Sequence, residues 1–319
     1  MMRARAMALL ALAAVLAAGT SLGTTVAAFT DQTSSAGNNV TAATDTQAPT
    51  LTPIVIAKTT GGSEAGSIRA GAAYRVYATV ADTGAPASGV ASVTANVSAI
   101  TAGQTAVPMT AGSFAVDGVT YNRRSAELTT QAGLPNGPRA FSVTGVDVAS
   151  NSATANGTVT IDNTAPTAGN VQTTNAPGNI AGRAEEGDSM TWTFSEPIQP
   201  GSLLAGWTGA ARSVTVVLTN NGGGDEITVY SGFTPVALGT VDLGRNDYTN
   251  GTVWFLGSTM TMSGSSVTVV LGNPFLGTPT TAAGNGTMSW TPSATATDHA
   301  GNPASTTPVN ESGPADREF

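Results

Sequence analysis

The chain has 319 residues, a formal charge of −8, no cysteine and one histidine. These values exclude disulfides, thiolate zinc sites, iron–sulfur clusters and cysteine nucleophiles. The acidic balance also argues against a nucleic-acid partner.

Arg3 and Arg5 precede an apolar run over 7–18. Spanning a bilayer takes about 20 residues. The positive start, short apolar stretch and small residues Val26-Ala27-Ala28 therefore read as a secretory signal peptide over 1–28, cut ahead of Phe29. The alternative is a retained anchor. Residues 29–47 are polar and are expected to be a tail or an added strand.

The junction Gly23-Thr-Thr-Val-Ala-Ala-Phe-Thr-Asp31, followed by Ser35-Ala-Gly-Asn-Asn-Val-Thr-Ala-Ala-Thr44, resembles the leader junction of camelysin-type and biofilm-fibre surface proteins. The resemblance covers about the first 45 residues. It implies a secreted protein of a Gram-positive cell surface or biofilm matrix. Some members of that family are called metallopeptidases. Here there is no His-Glu-x-x-His, and a lone His cannot supply two zinc ligands, so that activity is not carried over.

Beyond the leader, period-two alternation dominates. Tyr74, Val76, Ala78 and Val80 predict a strand with one buried face. Met190, Trp192 and Phe194 predict another, with Thr191 and Thr193 on its wet side. Further strands are expected over 90–97, 141–146, 154–161, 214–218, 227–230, 253–256, 267–271 and 287–290. No helical period competes with them. Many short strands at this spacing predict an all-β chain built as a sandwich.

Two boundary segments share one pattern: Asp45-Thr-Gln-Ala-Pro-Thr50 and Asp162-Asn-Thr-Ala-Pro-Thr167. The second follows Val146-Asp-Val-Ala-Ser-Asn151 and a Thr-rich strand. Ala294-Thr-Ala-Thr-Asp298-His-Ala-Gly-Asn302 repeats that theme, and Phe194-Ser-Glu-Pro197 adds to it. The arrangement resembles bacterial immunoglobulin-like repeats. It implies tandem immunoglobulin-like β-sandwich domains at 48–163 and 164–308, after an N-terminal signal helix. The second is long for such a domain, which places an insert near 220–264, fed by the loop Gly222-Gly-Gly224. Residues 309–319 are expected to be an exposed C-terminal tail.

Calcium takes six to eight oxygen ligands. Asp82, Asp147, Asp162 and Asn163 occupy strand-end positions that gather at one end of a sandwich, so they are candidate calcium ligands beside the domain junction. Asp188, Glu196, Asp298 and Asn302 hold similar places in the second domain. The alternative is that these residues accept backbone hydrogen bonds in turns. Trp192 and Trp290 are expected in the core. Trp207 and Trp254 are candidate ligand-binding residues, able to stack on sugar or dock a protein.

Lys58, the only lysine, is expected to be a solvated edge residue or the donor of an isopeptide bond to Asn151 or Asn156. His299 reads as a surface-turn histidine with no nucleophile elbow. Glu185, Glu186 and Asp188 sit together in one loop, whereas glycoside hydrolysis needs carboxylates facing across a substrate. No catalytic residue or cofactor beyond calcium is therefore assigned.

The expected function is a non-catalytic structural or adhesive module, secreted to the cell surface or extracellular matrix. Its partner would be a surface or matrix protein or a glycan. The membrane would be met only through the uncleaved leader. The alternative is a carbohydrate- or protein-binding module using Trp207 and Trp254.

Overall fold

Two short residues, Asp117 and Gly118, turn the chain sharply in the first half of the molecule. Both have positive φ (49° and 76°), and the turn joins Val116 directly opposite Val119. A two-residue loop of this kind matches the right-handed twist of the flanking strands. It belongs to a computed structural model that describes residues 43–59 and 64–319. The expected leader at 1–28, and all of 29–47 up to residue 42, lie outside the described residues.

The described residues are nearly all β. The first sheet contains β1 (Thr50–Lys58), β2 (Ser67–Ile68), β3 (Ala73–Ala81), β4 (Val90–Asn96), β5 (Val107–Val116), β6 (Val119–Ser125), β7 (Leu128–Thr129), β8 (Gly137–Asp147) and β9 (Ser152–Ile161). Its order is β1-β3-β6-β5-β4-β8-β9-β2, with β7 also on β3. Among the described residues of this sheet, only β2 and β9 pair in parallel. The sheet folds across itself. Ile56, Tyr74, Val76 and Val80 from β1 and β3 share a buried cluster with Val93, Phe141, Val143 and Val159 from β4, β8 and β9.

The alternation along β3 therefore packs as expected, but its other face is not bare. Tyr77 meets Tyr121 at 5.8 Å between ring centroids and Phe114 at 6.4 Å. Arg124 lies 4.2 Å over the Phe114 ring. The β5–β6 hairpin thus covers the outer side with a second small cluster.

The second sheet contains β10 (Ala168–Thr174), β11 (Ser189–Phe194), β12 (Arg212–Asn220), β13 (Asp225–Ser231), β14 (Thr234–Pro235), β15 (Thr240–Asp242), β16 (Thr252–Ser263), β17 (Ser266–Val270), β18 (Asn273–Leu276), β19 (Ser289–Thr291) and β20 (Val309–Asn310). One helical turn, α1 (Pro200–Leu203), follows β11. The order is β10-β11-β17-β16-β12-β13-β15-β19-β20, with β14 on β13 and β18 on β16.

The segment expected as an insert near 220–264 falls on paired strands of this sheet. β13, β15 and β16 lie inside the sheet, and Ile227, Val229, Val241, Val253 and Phe255 face the same core as Trp192 and Trp290. Apolar residues alternating on those strands require burial, so the segment is the middle of the sheet rather than an appendage. Gly224 marks how closely the β12–β13 connection meets β15: a Cβ there would lie 2.1 Å from Asp242 Oδ1.

The exposed-tail expectation for 309–319 is also corrected. Val309 pairs with Trp290, Glu311 and Glu318 are buried, and Phe319 is 3 % exposed. Phe319 meets the ring of Tyr248 edge-on at 6.5 Å. The apolar Phe319 side chain has a pocket to fill, and that holds the segment down.

Candidate metal centres at two equivalent loop clusters

An Asp-x-x-x-Asn loop occurs twice, and both copies close identically. After β8, Asn151 N donates to Asp147 Oδ1 at 2.7 Å and Asn151 Nδ2 to Asp147 Oδ2 at 2.9 Å. After β19, Asn302 N donates to Asp298 Oδ1 at 2.7 Å and Asn302 Nδ2 to Asp298 Oδ2 at 2.8 Å. In each loop Asp N donates to the carbonyl of the Asn, at 3.0 and 3.1 Å. The residue ahead of each Asn, Ser150 or Gly301, has positive φ (72° and 90°), which turns the Asn side chain back on the Asp.

The same amide proton pair reaches the Asp-x-x-Ala-Pro segments. Asn151 Nδ2 donates to the Asp45 carbonyl at 3.1 Å, and Asn302 Nδ2 to the Asp162 carbonyl at 2.9 Å. Each loop is thus tied to the segment leading into its own sheet. A third acid follows the second long strand in each case: Asp82 just after β3, and Glu196 just after β11.

Two carboxylate trios result. Asp45, Asp82 and Asp147 each bring an oxygen within 4.8 Å of the others, and so do Asp162, Glu196 and Asp298. Asp147 and Asp298 are 2 % exposed, whereas the others are half-buried. All donors are carboxylate oxygens, a set that suits calcium or magnesium rather than zinc.

The first trio has backbone support. Asp45 accepts from Gln47 N at 3.0 Å and Ser88 N at 2.9 Å. Asp82 accepts from Gly89 N at 2.6 Å. The Ser88 side chain and these amides hold Asp45 below the usual carboxylate range. The second trio is less satisfied. Glu196 Oε1 is buried with no hydrogen-bond donor. Burial, and next the charges of Asp298 and Asp162, hold its carboxyl above the ordinary range. A cation at that point would supply the missing countercharge.

The candidate set Asp82, Asp147, Asp162 and Asn163 is therefore divided. Asp82 and Asp147 come together with Asp45, and Asp162 joins Glu196 and Asp298. Asn163 belongs to neither trio: it accepts from Ala70 N at 2.8 Å and donates to the Leu134 carbonyl at 2.8 Å, which ties the connection to two loops of the first sheet. Asp188 is likewise used up by amides, accepting from Ala176 N at 2.8 Å and Glu185 N at 2.7 Å. Asp45 was missed as a member of the first trio, although its signal was the repeated Asp-x-x-Ala-Pro itself.

Lys58 is neither a solvated edge residue nor aimed at Asn151 or Asn156. It is 2 % exposed. Its Nζ donates to the His299 carbonyl at 2.7 Å and to Gln199 Oε1 at 2.9 Å, and pairs with Glu64 at 3.2 Å. His299 Nδ1 contacts the same Glu64 carboxylate. That hydrogen bond raises the His299 pKa. These groups pin the first sheet's β1 to the loop after β19. Glu185 is tied to Arg183 and to Ile180 N, and the Arg183 hydrogen bond lowers its pKa.

Trp207 is corrected as an exposed binding residue. It is 5 % exposed in the second core, and its Nε1 donates to the Ala210 carbonyl at 2.6 Å. Its neighbours Leu203 at the end of α1 and Leu204 just after it are buried with it, so the indole fills the core beside the helical turn. Trp254 is half-buried on β16, opposite Leu276 of β18. There Phe275 and Leu276 are 74 % and 58 % exposed. No family model matches this chain, and no curated protein matches it.

Proposed function

We propose that the protein is a non-catalytic structural or adhesive module of a bacterial cell surface or extracellular matrix, built from tandem immunoglobulin-like sandwiches and stiffened by calcium. The observation that carries this reading is the duplication just described. The same loop, the same Asn bridge and the same kind of carboxylate trio stand at the entrance to each sheet. The second trio draws Asp162 from the connection and Glu196 and Asp298 from loops of the sheet that follows. A cation there would lock the connection to the sheet beyond it. The leader resemblance supports secretion.

The test is thermal unfolding of the full chain in EDTA and in millimolar calcium. A ligand that binds only the folded state stabilises it by about 2.7 kcal/mol at a hundredfold excess over Kd. A calcium-dependent rise in Tm that is reduced by Asp82→Ala and by Asp162→Ala supports the reading. An unchanged Tm returns both trios to turn chemistry.

A second reading is favoured by one surface. Trp254, Phe275 and Leu276 present apolar groups along β16 and β18, and such patches on a folded protein mark contact with a partner or a glycan. Glycan-array or pull-down binding that is lost in Trp254→Ala supports it.

A further inference from the structure

A third carboxylate cluster lies apart from the two loop trios. Glu311, Asp316 and Glu318 each bring one oxygen within 4.8 Å of the others. Glu318 is 1 % exposed and Glu311 is 8 % exposed. Backbone bonds on every side fix where they stand. Glu311 Oε1 accepts from Met288 N at 2.8 Å, and Glu311 N donates to the Met288 carbonyl at 2.9 Å. The Asp316 carbonyl accepts from Gly286 N at 2.7 Å. Glu318 N donates to the Tyr248 hydroxyl at 2.8 Å.

The unusual atom is Glu318 Oε1. Its partner oxygen, Oε2, accepts from the Thr173 hydroxyl at 2.6 Å, but Oε1 is buried with no donor. Among the described residues, no Lys, Arg or His pairs with any of the three acids. Arg317, the nearest in sequence, turns its Nη2 to the Ala283 carbonyl at 3.4 Å. Buried carboxylates facing one another require a proton or a cation between them. With protein groups alone, burial and then the Glu311 and Asp316 charges push the Glu318 carboxyl up to about 8. Three hard oxygen donors, one of them on the solvent-exposed Asp316 that leaves room for water ligands, match a calcium shell better than a proton bridge, which joins only two oxygens.

We propose that Glu311, Asp316 and Glu318 form a calcium site that fastens residues 309–319 to the second sheet. The site draws its ligands entirely from that segment. Met288, Thr173 and Tyr248 supply the surface against which it closes. Calcium then controls whether the segment stays docked, independently of the two loop trios.

Trypsin reports on this directly, because the Arg317–Glu318 bond is cut only when Glu318 leaves its buried position. The experiment follows loss of Glu318 and Phe319 by mass spectrometry, using the full chain and an Asp82→Asn/Asp298→Asn variant that disables the other two trios. With calcium at ten times Kd, the opened population, and with it the cleavage rate, falls about tenfold relative to EDTA. The double variant shows the same protection. Adding Glu318→Gln or, separately, Glu311→Gln removes the calcium dependence, and circular dichroism checks that each remains folded. Equal cleavage in calcium and EDTA, protection that follows pH but not calcium, or calcium protection that survives both Gln variants overturns the proposal.

Discussion

Lys58 Nζ, on the first sheet, donates to the carbonyl oxygen of His299, beyond the second sheet's β19, across 2.7 Å. Both the lysine and the acids around it are largely dry, so the ammonium has replaced water with Glu64, Gln199 and two carbonyls. A hydrogen bond to a charged group contributes about 1.5–3 kcal/mol, and an abandoned partner adds its desolvation. Lys58→Met keeps the length of the side chain and removes the charge. It should lower stability by about 2–3 kcal/mol and split a single urea transition into two. An unaltered single transition would show that the pin does not couple the sheets.

Glu196 gives a prediction whose sign depends on the solution. Its carboxylate is crowded by Asp162 and Asp298, so Glu196→Gln removes repulsion when no cation is present and removes a ligand when one is. The variant should melt above the wild type in EDTA and below it in saturating calcium. If the two melting curves keep the same order in both buffers, the second trio does not hold calcium.

Asp225 on β13 is fully buried. Its Oδ2 accepts from Tyr248 N at 2.7 Å and Thr249 N at 3.0 Å, while Oδ1 has no donor. Burial holds its carboxyl above the ordinary range. With the folded pKa above the unfolded one, its contribution is fully present below the unfolded value and is lost as pH rises through the folded value. Asp225→Asn keeps an oxygen for both amides and does not titrate. The stability of the variant relative to wild type should therefore increase as pH rises from the ordinary carboxylate range through the raised folded value. Denaturant midpoints across that range check this, and a flat difference would show the carboxyl to be unperturbed.

The two tryptophans singled out by sequence should behave oppositely. Trp207→Ala empties a core position and should cost about 3–5 kcal/mol. Trp254→Ala, on a half-exposed strand face, should stay within about 1 kcal/mol. Chemical denaturation of the two variants separates them, and similar losses would contradict the burial difference.

The strand content was legible because Tyr74, Val76, Ala78 and Val80, and likewise Met190, Trp192 and Phe194, carry period two without interruption. The β5–β6 hairpin was missed although Asp117-Gly118 is a strong two-residue turn signal. Its flanks carry Ala, Gly, Thr and Arg, so their alternation is weak. Residues 220–264 looked peripheral because Gly222-Gly-Gly224 resembles a linker. Whether a strand lies inside a sheet depends on pairing partners far along the chain, and local pattern does not encode them. Asp82, Asp147 and Asp162 were recognised as loop acids, yet they were grouped by sheet end instead of by repeat. The repeat makes Asp45 the counterpart of Asp162, a relation visible in the two Asp-x-x-Ala-Pro segments. Trp207 failed because its glycine-flanked setting looked like a loop, while Leu203 of α1 and Leu204 just beyond it form a wall beside it.

The parallel pairing of β2 with β9 has a mechanical consequence. Tension carried by the 162–167 connection runs along β9 itself. The ladder from Gly137↔Ile161 to Val146↔Ser152, together with Ser67↔Thr160 and Ile68↔Ile161, is then pulled lengthwise. Strands pulled lengthwise share the load across all rungs at once, whereas a strand peeled from one end surrenders them singly. Rupture under force is governed by the unfolding barrier. Load that enters the first sheet through this connection therefore meets rungs on both sides of β9.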